Sequence, residues 1–186
     1  MSDEVLKVHG SIFFLLKKYV DKSITSFSWE MLMTDAKISE HIFEVTQSYP
    51  LADMNAIIDA ASKKTSISPN QLKENFGEFM VPDLFRLYAN YLRPEWKTFD
   101  VLINTEKVMH GAVRNLNSSA EPPILNVNKV HEKLLIIDYY SKRRMGALAV
   151  GIIKGIAKFY KEDNNIIITP TTNPEDERVQ IRVEYA

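Results

Sequence analysis

Three polar side chains at alternate positions directly follow an apolar run in the last third of the sequence. Tyr139, Ser141 and Arg143 come after residues 134–137, Leu-Leu-Ile-Ile, which read as a β-strand. If the extended conformation continues, its alternation points the three side chains to one side. A phenol, a hydroxyl and a guanidinium all donate hydrogen bonds, and a guanidinium binds carboxylate oxygens in pairs. The segment predicts a site for a carboxylate-bearing ligand, and the alternative is a solvated strand end.

His110 is the histidine whose context suggests a ligand. It lies late in a helix predicted from Trp96 to Leu116, and a rigid Pro122-Pro123 pair follows it. A neutral imidazole binds haem iron, and haem propionates need cationic and hydroxyl partners. A helical histidine, a proline turn and a row of donors together suit a flat ligand such as haem, whereas a histidine taken alone is more often a surface or core residue.

Composition excludes several other kinds of site. The chain of 186 residues has no cysteine, which excludes disulfides, zinc-thiolate sites and cysteine nucleophiles. Its four histidines lack the spacing of a zinc hydrolase, and there is no Gly-x-Ser-x-Gly motif or glycine-rich phosphate loop. A formal net charge of −1 predicts no nucleic-acid partner. With no signal peptide and no apolar stretch long enough for a bilayer, we expect a cytoplasmic protein without a membrane partner.

The predicted elements place helices before strands. Helical spacing predicts a helix around residues 8–19, others from about 29 to 43 and from 51 to 62, one from Ser68 to Phe76-Gly77, and one opened by Pro82. Strands are predicted over 124–130, 133–140, 166–170 and 179–185, with a turn at residues 126–129 and a helix over 145–160. The order predicts one α+β domain over residues 1–186, helical to about 116 and mixed from about 117.

These residues resemble one known family. Tyr139-x-Ser141-x-Arg143 is similar to the Tyr-x-Ser-x-Arg propionate motif of the haem nitric oxide/oxygen binding (H-NOX) family, which includes the haem domain of soluble guanylate cyclase and stand-alone bacterial gas sensors. His110 stands where that family keeps its proximal histidine, and Gly10 stands in a segment similar to the family's opening. The similarity runs from about residue 8 to residue 185, and implies the H-NOX fold with haem b buried between the helical part and the sheet.

The resemblance assigns a role to each matched residue. His110 would be the proximal iron ligand, and Tyr139, Ser141 and Arg143 would bind the propionates. Pro123 would press on the proximal face of the haem. Ile12, from the first helix, would touch the haem as well. Pro123 and Ile12 also have plainer explanations as a loop stiffener and a core residue.

The matched distal positions carry no hydrogen-bond donor. Oxygen-binding members have a tyrosine where this sequence has Leu148, and some have a tryptophan where it has Leu16. Met80 would line the same pocket. Oxygen gains from a donor and nitric oxide or carbon monoxide need one much less, so the resemblance implies a nitric oxide and carbon monoxide sensor that binds oxygen poorly. A tyrosine such as Tyr19 reaching the pocket would weaken that inference.

The resemblance also implies the output. Nitric oxide would weaken the bond between His110 and the iron, and a separate protein would read the change. With no effector segment after Tyr185, we expect a non-enzymatic, stand-alone sensor whose partner is a histidine kinase or a diguanylate cyclase. Two alternatives stay open: an oxygen-binding haem protein, and a haem-free interaction module on the same fold.

Overall fold

The computed structural model describes residues 5–39, 42–116 and 121–186. Helices fill most of its first part, and a four-stranded sheet fills much of its last part. The elements in chain order are β1 (Lys7–His9), α1 (Gly10–Ser23), α2 (Trp29–Asp35), β2 (Ser48–Pro50), α3 (Leu51–Thr65), α4 (Pro69–Leu87), a 3₁₀ turn (Ala89–Tyr91), α5 (Thr98–Asn104), a π-helix (Thr105–His110), α6 (Gly111–Leu116), β3 (Ile124–His131), β4 (Leu134–Tyr140), α7 (Gly146–Phe159), β5 (Ile166–Pro170) and β6 (Arg178–Tyr185).

The first of two compact units reaches to Phe76. Its core is rich in aromatic rings, with Phe13 stacked on Phe43 at 4.2 Å between centroids and Trp29 edge-on to Phe43. The short strands β1 and β2 pair antiparallel beside the start of α1. Gly10 is the first residue of α1, and a β-carbon there would collide with the backbone carbonyl of Glu44, so the position requires glycine.

The second unit begins at Gly77 and contains the larger sheet. Its strands are all antiparallel in the order β3-β4-β6-β5. Apolar side chains of the sheet, α7 and α5 form one core, in which Leu135, Val179, Ile181 and Val183 are fully buried. This arrangement confirms the predicted α+β class. The prediction of a single domain over residues 1–186 stays a prediction.

Helix α4 corrects the predicted break at Gly77 and Pro82. Its start is as predicted, with the Ser68 hydroxyl accepting the amide of Gln71 at 3.2 Å. The helix then continues to Leu87 with Pro82 inside it. A proline removes one helical hydrogen bond, but burial of Val81 and Phe85 on either side of it offsets that loss.

Strand β3 corrects the predicted turn at residues 126–129. Asn126 and Asn128 lie inside the strand, opposite Asp138 and Ile136, and the turn falls at Glu132-Lys133. Because β3 is an edge strand with one face toward solvent, it accommodates asparagines that in a central strand would indicate a turn. Strands β1 and β2 were not predicted, because three residues are too few to show a period-2 alternation.

Other predicted elements shift only at their ends, except that α2 is shorter than expected. The asparagine, serine and proline content of residues 115–123 predicts a loop there, of which residues 117–120 are outside the described residues. Residues 1–4, part of the stretch from Met1 to Lys7 that precedes the segment similar to the family's opening, are outside them as well. Within the described part of the chain, no helix has the length and apolar character needed to cross a bilayer.

Candidate functional site

His110 ends a π-helical turn in the middle of a longer helical segment. The helix that the sequence predicts to Leu116 is observed from Thr98, but its central six residues, Thr105–His110, are wound as a π-helix. Such turns are rare and occur often at functional sites. The Thr105 hydroxyl donates to the Val101 carbonyl at 2.7 Å. The His110 side chain is 16% exposed, so it faces mainly protein.

A carboxylate holds the His110 ring. Glu106 Oε2 lies 2.9 Å from His110 Nδ1, one helical turn earlier in the chain. The same Oε2 accepts the backbone amide of Leu125 on β3 at 2.9 Å, and Oε1 accepts Arg114 Nη2 at 2.7 Å. Burial alone raises the pKa of Glu106, but these hydrogen bonds outweigh it and hold the pKa below its ordinary value. Glu106 is therefore an acceptor-only carboxylate at neutral pH.

The contact with Glu106 fixes the tautomer of the imidazole. Burial lowers the pKa of His110, although the hydrogen bond and charge of Glu106 and the backbone carbonyl of Pro123 act in the opposite direction. The ring is thus neutral and has a single N–H. Since the carboxylate only accepts, Nδ1 carries that hydrogen and Nε2 keeps the lone pair that a metal needs.

The three donor residues Tyr139, Ser141 and Arg143 do not lie along one extended strand. Strand β4 ends at Tyr140, and the chain turns so that the Arg144 amide donates to the Ser141 carbonyl at 3.0 Å. The prediction of a continuing extended conformation is therefore wrong past Tyr140. Tyr139 and Ser141 are nevertheless 4% and 6% exposed, which a solvated strand end would not be. Burial raises the pKa of Tyr139, while hydrogen bonds to Ser141 and to the Met145 backbone act against it.

Arg143 joins the two buried hydroxyls through the turn. Its amide donates to the Ser141 hydroxyl at 3.2 Å, and its positive charge acts against the burial that raises the pKa of Tyr139. Its guanidinium donates to the backbone carbonyl of Glu121 at 2.6 Å and lies 3.7 Å from the Glu121 carboxylate, which is largely exposed. The turn after β4 thus brings Tyr139, Ser141 and Arg143 together by a route other than strand alternation.

Leu148 and Met80 are both buried apolar residues of the second unit. Leu148 is on α7 and Met80 on α4, at 9% and 1% exposure. The two helices approach closely, because a β-carbon on Gly77 would collide with the Leu148 carbonyl and a β-carbon on Gly155 would lie 2.7 Å from the Glu78 carbonyl. Neither Leu148 nor Met80 is a member of the core packed on the sheet.

Ile12 and Leu16 lie on α1 in the first unit. Ile12 is half-buried and Leu16 is buried. Leu16 and Tyr19 line a small apolar cavity together with residues of α3 and α4, all within this unit. Burial raises the pKa of Tyr19, and a hydrogen bond with Asn75 acts against it, so the hydroxyl has a partner in its own unit. The roles predicted for Ile12 and Leu16 at a haem stay predictions.

The residues of the second unit fit haem by their chemistry. No group of three metal-binding side chains occurs among residues 5–39, 42–116 and 121–186. The imidazole is neutral with its Nε2 lone pair available, and Tyr139, Ser141 and Arg143 form a donor set of the kind propionates need. The backbone carbonyl of Pro123 is a hydrogen-bond partner of the His110 side chain.

No role was predicted for Glu106 from the sequence, although it contacts His110 in the structure. A carboxylate four residues before a histidine on a helix is a signal that the two side chains meet. Glu121 carried no comparable signal, because only the folded loop places its carbonyl at Arg143.

Comparisons with known proteins agree with this arrangement. A family model described as haem-NO-binding matches residues 9–168. An H-NOX protein from S. oneidensis in the Fe(II)NO ligation state is 16% identical, with a TM-score of 0.83 over 96% of this chain and 99% of that chain. An Fe(II) unliganded H-NOX protein from K. algicida is 20% identical, with a TM-score of 0.79 over 96% of this chain and 97% of that one.

A third solved structure, a mutant of the H-NOX protein from T. tengcongensis, is 18% identical, with a TM-score of 0.78 over 96% of this chain and 97% of that one. No curated protein sequence matches the chain. At these identities the solved structures show the fold, and the family model, which covers most of the chain, shows the family. This protein therefore belongs to the haem-NO-binding family of H-NOX gas-sensor domains and has their fold.

Proposed function

We propose that this protein binds haem b through His110 and senses nitric oxide and carbon monoxide while binding oxygen poorly. The observation that carries the proposal is the pairing of His110 with Glu106. It leaves a buried, neutral imidazole whose Nε2 has a lone pair and whose orientation is fixed. The same carboxylate accepts the Arg114 guanidinium and the Leu125 amide, so its own position is fixed as well.

The turn after β4 would hold the propionates. Tyr139 and Ser141 are buried hydroxyls, and Arg143 brings a permanent charge to the same place. The Glu121 carbonyl accepts one guanidinium N–H of Arg143 at 2.6 Å, and the Glu121 carboxylate supplies a negative charge 3.7 Å away, as a carboxylate ligand would. Because Glu121 is exposed, exchanging its carboxylate for a propionate leaves no buried charge unpaired.

The side chains at the proposed distal positions favour nitric oxide over oxygen. Haem held by His110 would supply an iron able to bind a diatomic gas. Leu148 and Met80 have no hydroxyl or N–H to offer such a gas, and Leu16, in the first unit, has none either. Oxygen depends on a donor more than nitric oxide or carbon monoxide does, so the absence of a donor in these side chains supports the proposed selectivity.

The signal would begin at His110. Nitric oxide at a haem held by His110 would weaken the attachment of that ring, and a released ring would remove one restraint on the helical segment from Thr98 to Leu116. We propose that a separate protein, by family analogy a histidine kinase or a diguanylate cyclase, reads this change and that the chain itself catalyses no reaction. Such coupling between two sites amounts to about 1–3 kcal/mol and requires that the partner contact the two states differently.

An absorption spectrum tests the proposal directly. Protein reconstituted with haem is expected to show a Soret band, a five-coordinate ferrous form, and a shift on addition of nitric oxide. No stable oxygen complex is expected in air. A protein without a Soret band after reconstitution would contradict haem binding, and a stable ferrous–oxygen spectrum would contradict the selectivity alone.

A further inference from the structure

Glu106 connects three elements of the second unit through one carboxylate. Its Oε1 accepts Arg114 on α6, and its Oε2 accepts both the His110 ring and the Leu125 amide at the start of β3. We propose that Glu106 is a positioning residue that strengthens His110 as an iron ligand and passes the state of the ring to β3. This inference rests on the proposed function and extends it.

The first half of the inference concerns the strength of His110 as a ligand. A carboxylate that accepts Nδ1–H draws the proton toward itself and raises the electron density at Nε2. Arg114 tunes this effect, since its positive charge withdraws electron density from the same carboxylate at 2.7 Å. Glu106 is 29% exposed, which leaves the interaction only partly screened by solvent. The basicity of the His110 ring therefore follows the charges on Glu106 and Arg114.

The second half concerns the path from the ring to the sheet. His110 Nδ1 and the Leu125 amide share one oxygen, each at 2.9 Å. If the ring moves away from Oε2, the Leu125 amide keeps that oxygen alone and its hydrogen bond strengthens. Leu125 is the cross-strand partner of Tyr139. Contacts thus connect His110, the proposed iron ligand, through Glu106 and Leu125 to β4, the strand that carries Tyr139.

Resonance Raman spectroscopy of the ferrous protein tests the first half. Glu106→Gln keeps an acceptor but removes the charge, so the iron–histidine stretching frequency is expected to fall and the five-coordinate fraction of the nitric oxide complex to rise. Arg114→Gln is expected to move the frequency the opposite way, because it restores charge to the carboxylate. Glu132→Gln, on an exposed turn, removes the same charge and is expected to change nothing.

Amide NMR tests the second half. In the wild-type haem protein, nitric oxide is expected to shift the Leu125 and Tyr139 amide resonances. In Glu106→Gln the shift at Leu125 is expected to be much smaller, because the charged shared acceptor is gone. An equal shift in both proteins would overturn the proposed path.

The outcomes separate the inference from the proposed function. A wild-type protein that takes up no haem overturns both. If the wild-type protein forms five-coordinate ferrous haem and its iron–histidine stretching frequency is unchanged in Glu106→Gln and in Arg114→Gln, only the role of Glu106 is overturned. If Glu106→Gln does not fold, Arg114→Gln decides the question, since an unchanged or lowered frequency in that variant contradicts the proposal.

Discussion

The backbone carbonyl of Leu148 on α7 occupies the space that a β-carbon on Gly77 of α4 would need. The same two helices meet again further along, where Gly155 faces the Glu78 carbonyl and Val81. These glycines therefore set the distance between α4 and α7, and with it the position of Leu148.

The close approach predicts a loss of stability on enlarging either glycine. Gly77→Ala and Gly155→Ala place a methyl group against backbone atoms that have no rotamer to yield, so we expect each to lower the free energy of unfolding by about 1–3 kcal/mol. Urea denaturation followed by circular dichroism measures this. Gly111→Ala is the matched control, because nothing lies within 4 Å of its β-carbon and alanine favours the helix by up to about 1 kcal/mol. Equal effects at all three glycines would contradict the packing argument.

Removal of the Arg143 charge is expected to speed the loss of haem. A hydrogen bond to a charged group contributes about 1.5–3 kcal/mol, so Arg143→Gln should raise the haem dissociation rate by roughly 10-fold or more. Transfer of haem to an excess of apomyoglobin measures this rate. Arg144→Gln is the control, because Arg144 is 61% exposed and pairs with Glu177 instead. The propionate assignment is wrong if both variants lose haem at the same rate.

Elements with long apolar or branched runs could be predicted from the sequence. Elements whose conformation depends on tertiary packing could not. Strands β4 and β5 and helix α7 have dense branched or apolar runs, so their positions were predicted within two residues. The break expected at Pro82 did not occur, because the burial of α4 outweighs one lost hydrogen bond. Asn126 and Asn128 suggested a turn because nothing in the sequence marks β3 as an edge strand.

The donor row illustrates the same limit within the candidate site. Residue types alone identified Tyr139, Ser141 and Arg143, but the extended conformation predicted for them ends at Tyr140. The turn that brings them together depends on contacts distant in sequence, such as the Ser141 amide donating to the Glu177 carbonyl at 2.8 Å. Glu106 was visible at helical spacing from His110, yet its bond to Leu125 required the packing of β3 on the π-helix.

Stability at alkaline pH is expected to depend on Tyr185. Burial, together with the hydrogen bond to Glu162 and its charge, raises the pKa of Tyr185 to about 12. The unfolded chain releases this proton near pH 10, so the stabilisation is complete below pH 10 and is lost as the pH rises to 12. Because the side chain is only partly buried, screening reduces the expected loss to about 1 kcal/mol.

Urea denaturation of wild type and Tyr185→Phe between pH 8 and 12 measures the contribution. The variant is expected to be less stable at pH 8, because Glu162 loses a donor at 2.9 Å, and the two proteins are expected to converge near pH 12. Other tyrosines titrate in both proteins and cancel in the difference. A difference that does not change with pH would contradict the assignment.

Removal of the His110 ring is expected to abolish five-coordinate ferrous haem. His110→Gly leaves a space for free imidazole, so adding imidazole should restore the wild-type absorption spectrum. The exposed His131, whose Nδ1 accepts the Lys133 amide, provides the control variant His131→Gly, which should keep the wild-type spectrum. Unchanged spectra in His110→Gly without imidazole would remove His110 from the proposed role.

A donor introduced at Leu148 is expected to convert the selectivity. Leu148→Tyr adds a hydroxyl at a proposed distal position on α7, and a hydrogen bond to a charged acceptor contributes about 1.5–3 kcal/mol. We therefore expect the oxygen dissociation rate, measured by stopped flow, to fall by at least about 10-fold. Leu148→Phe, which adds the same ring without the hydroxyl, separates the donor from the effect of size. If the two variants release oxygen at the same rate, position 148 does not control selectivity through a hydrogen bond.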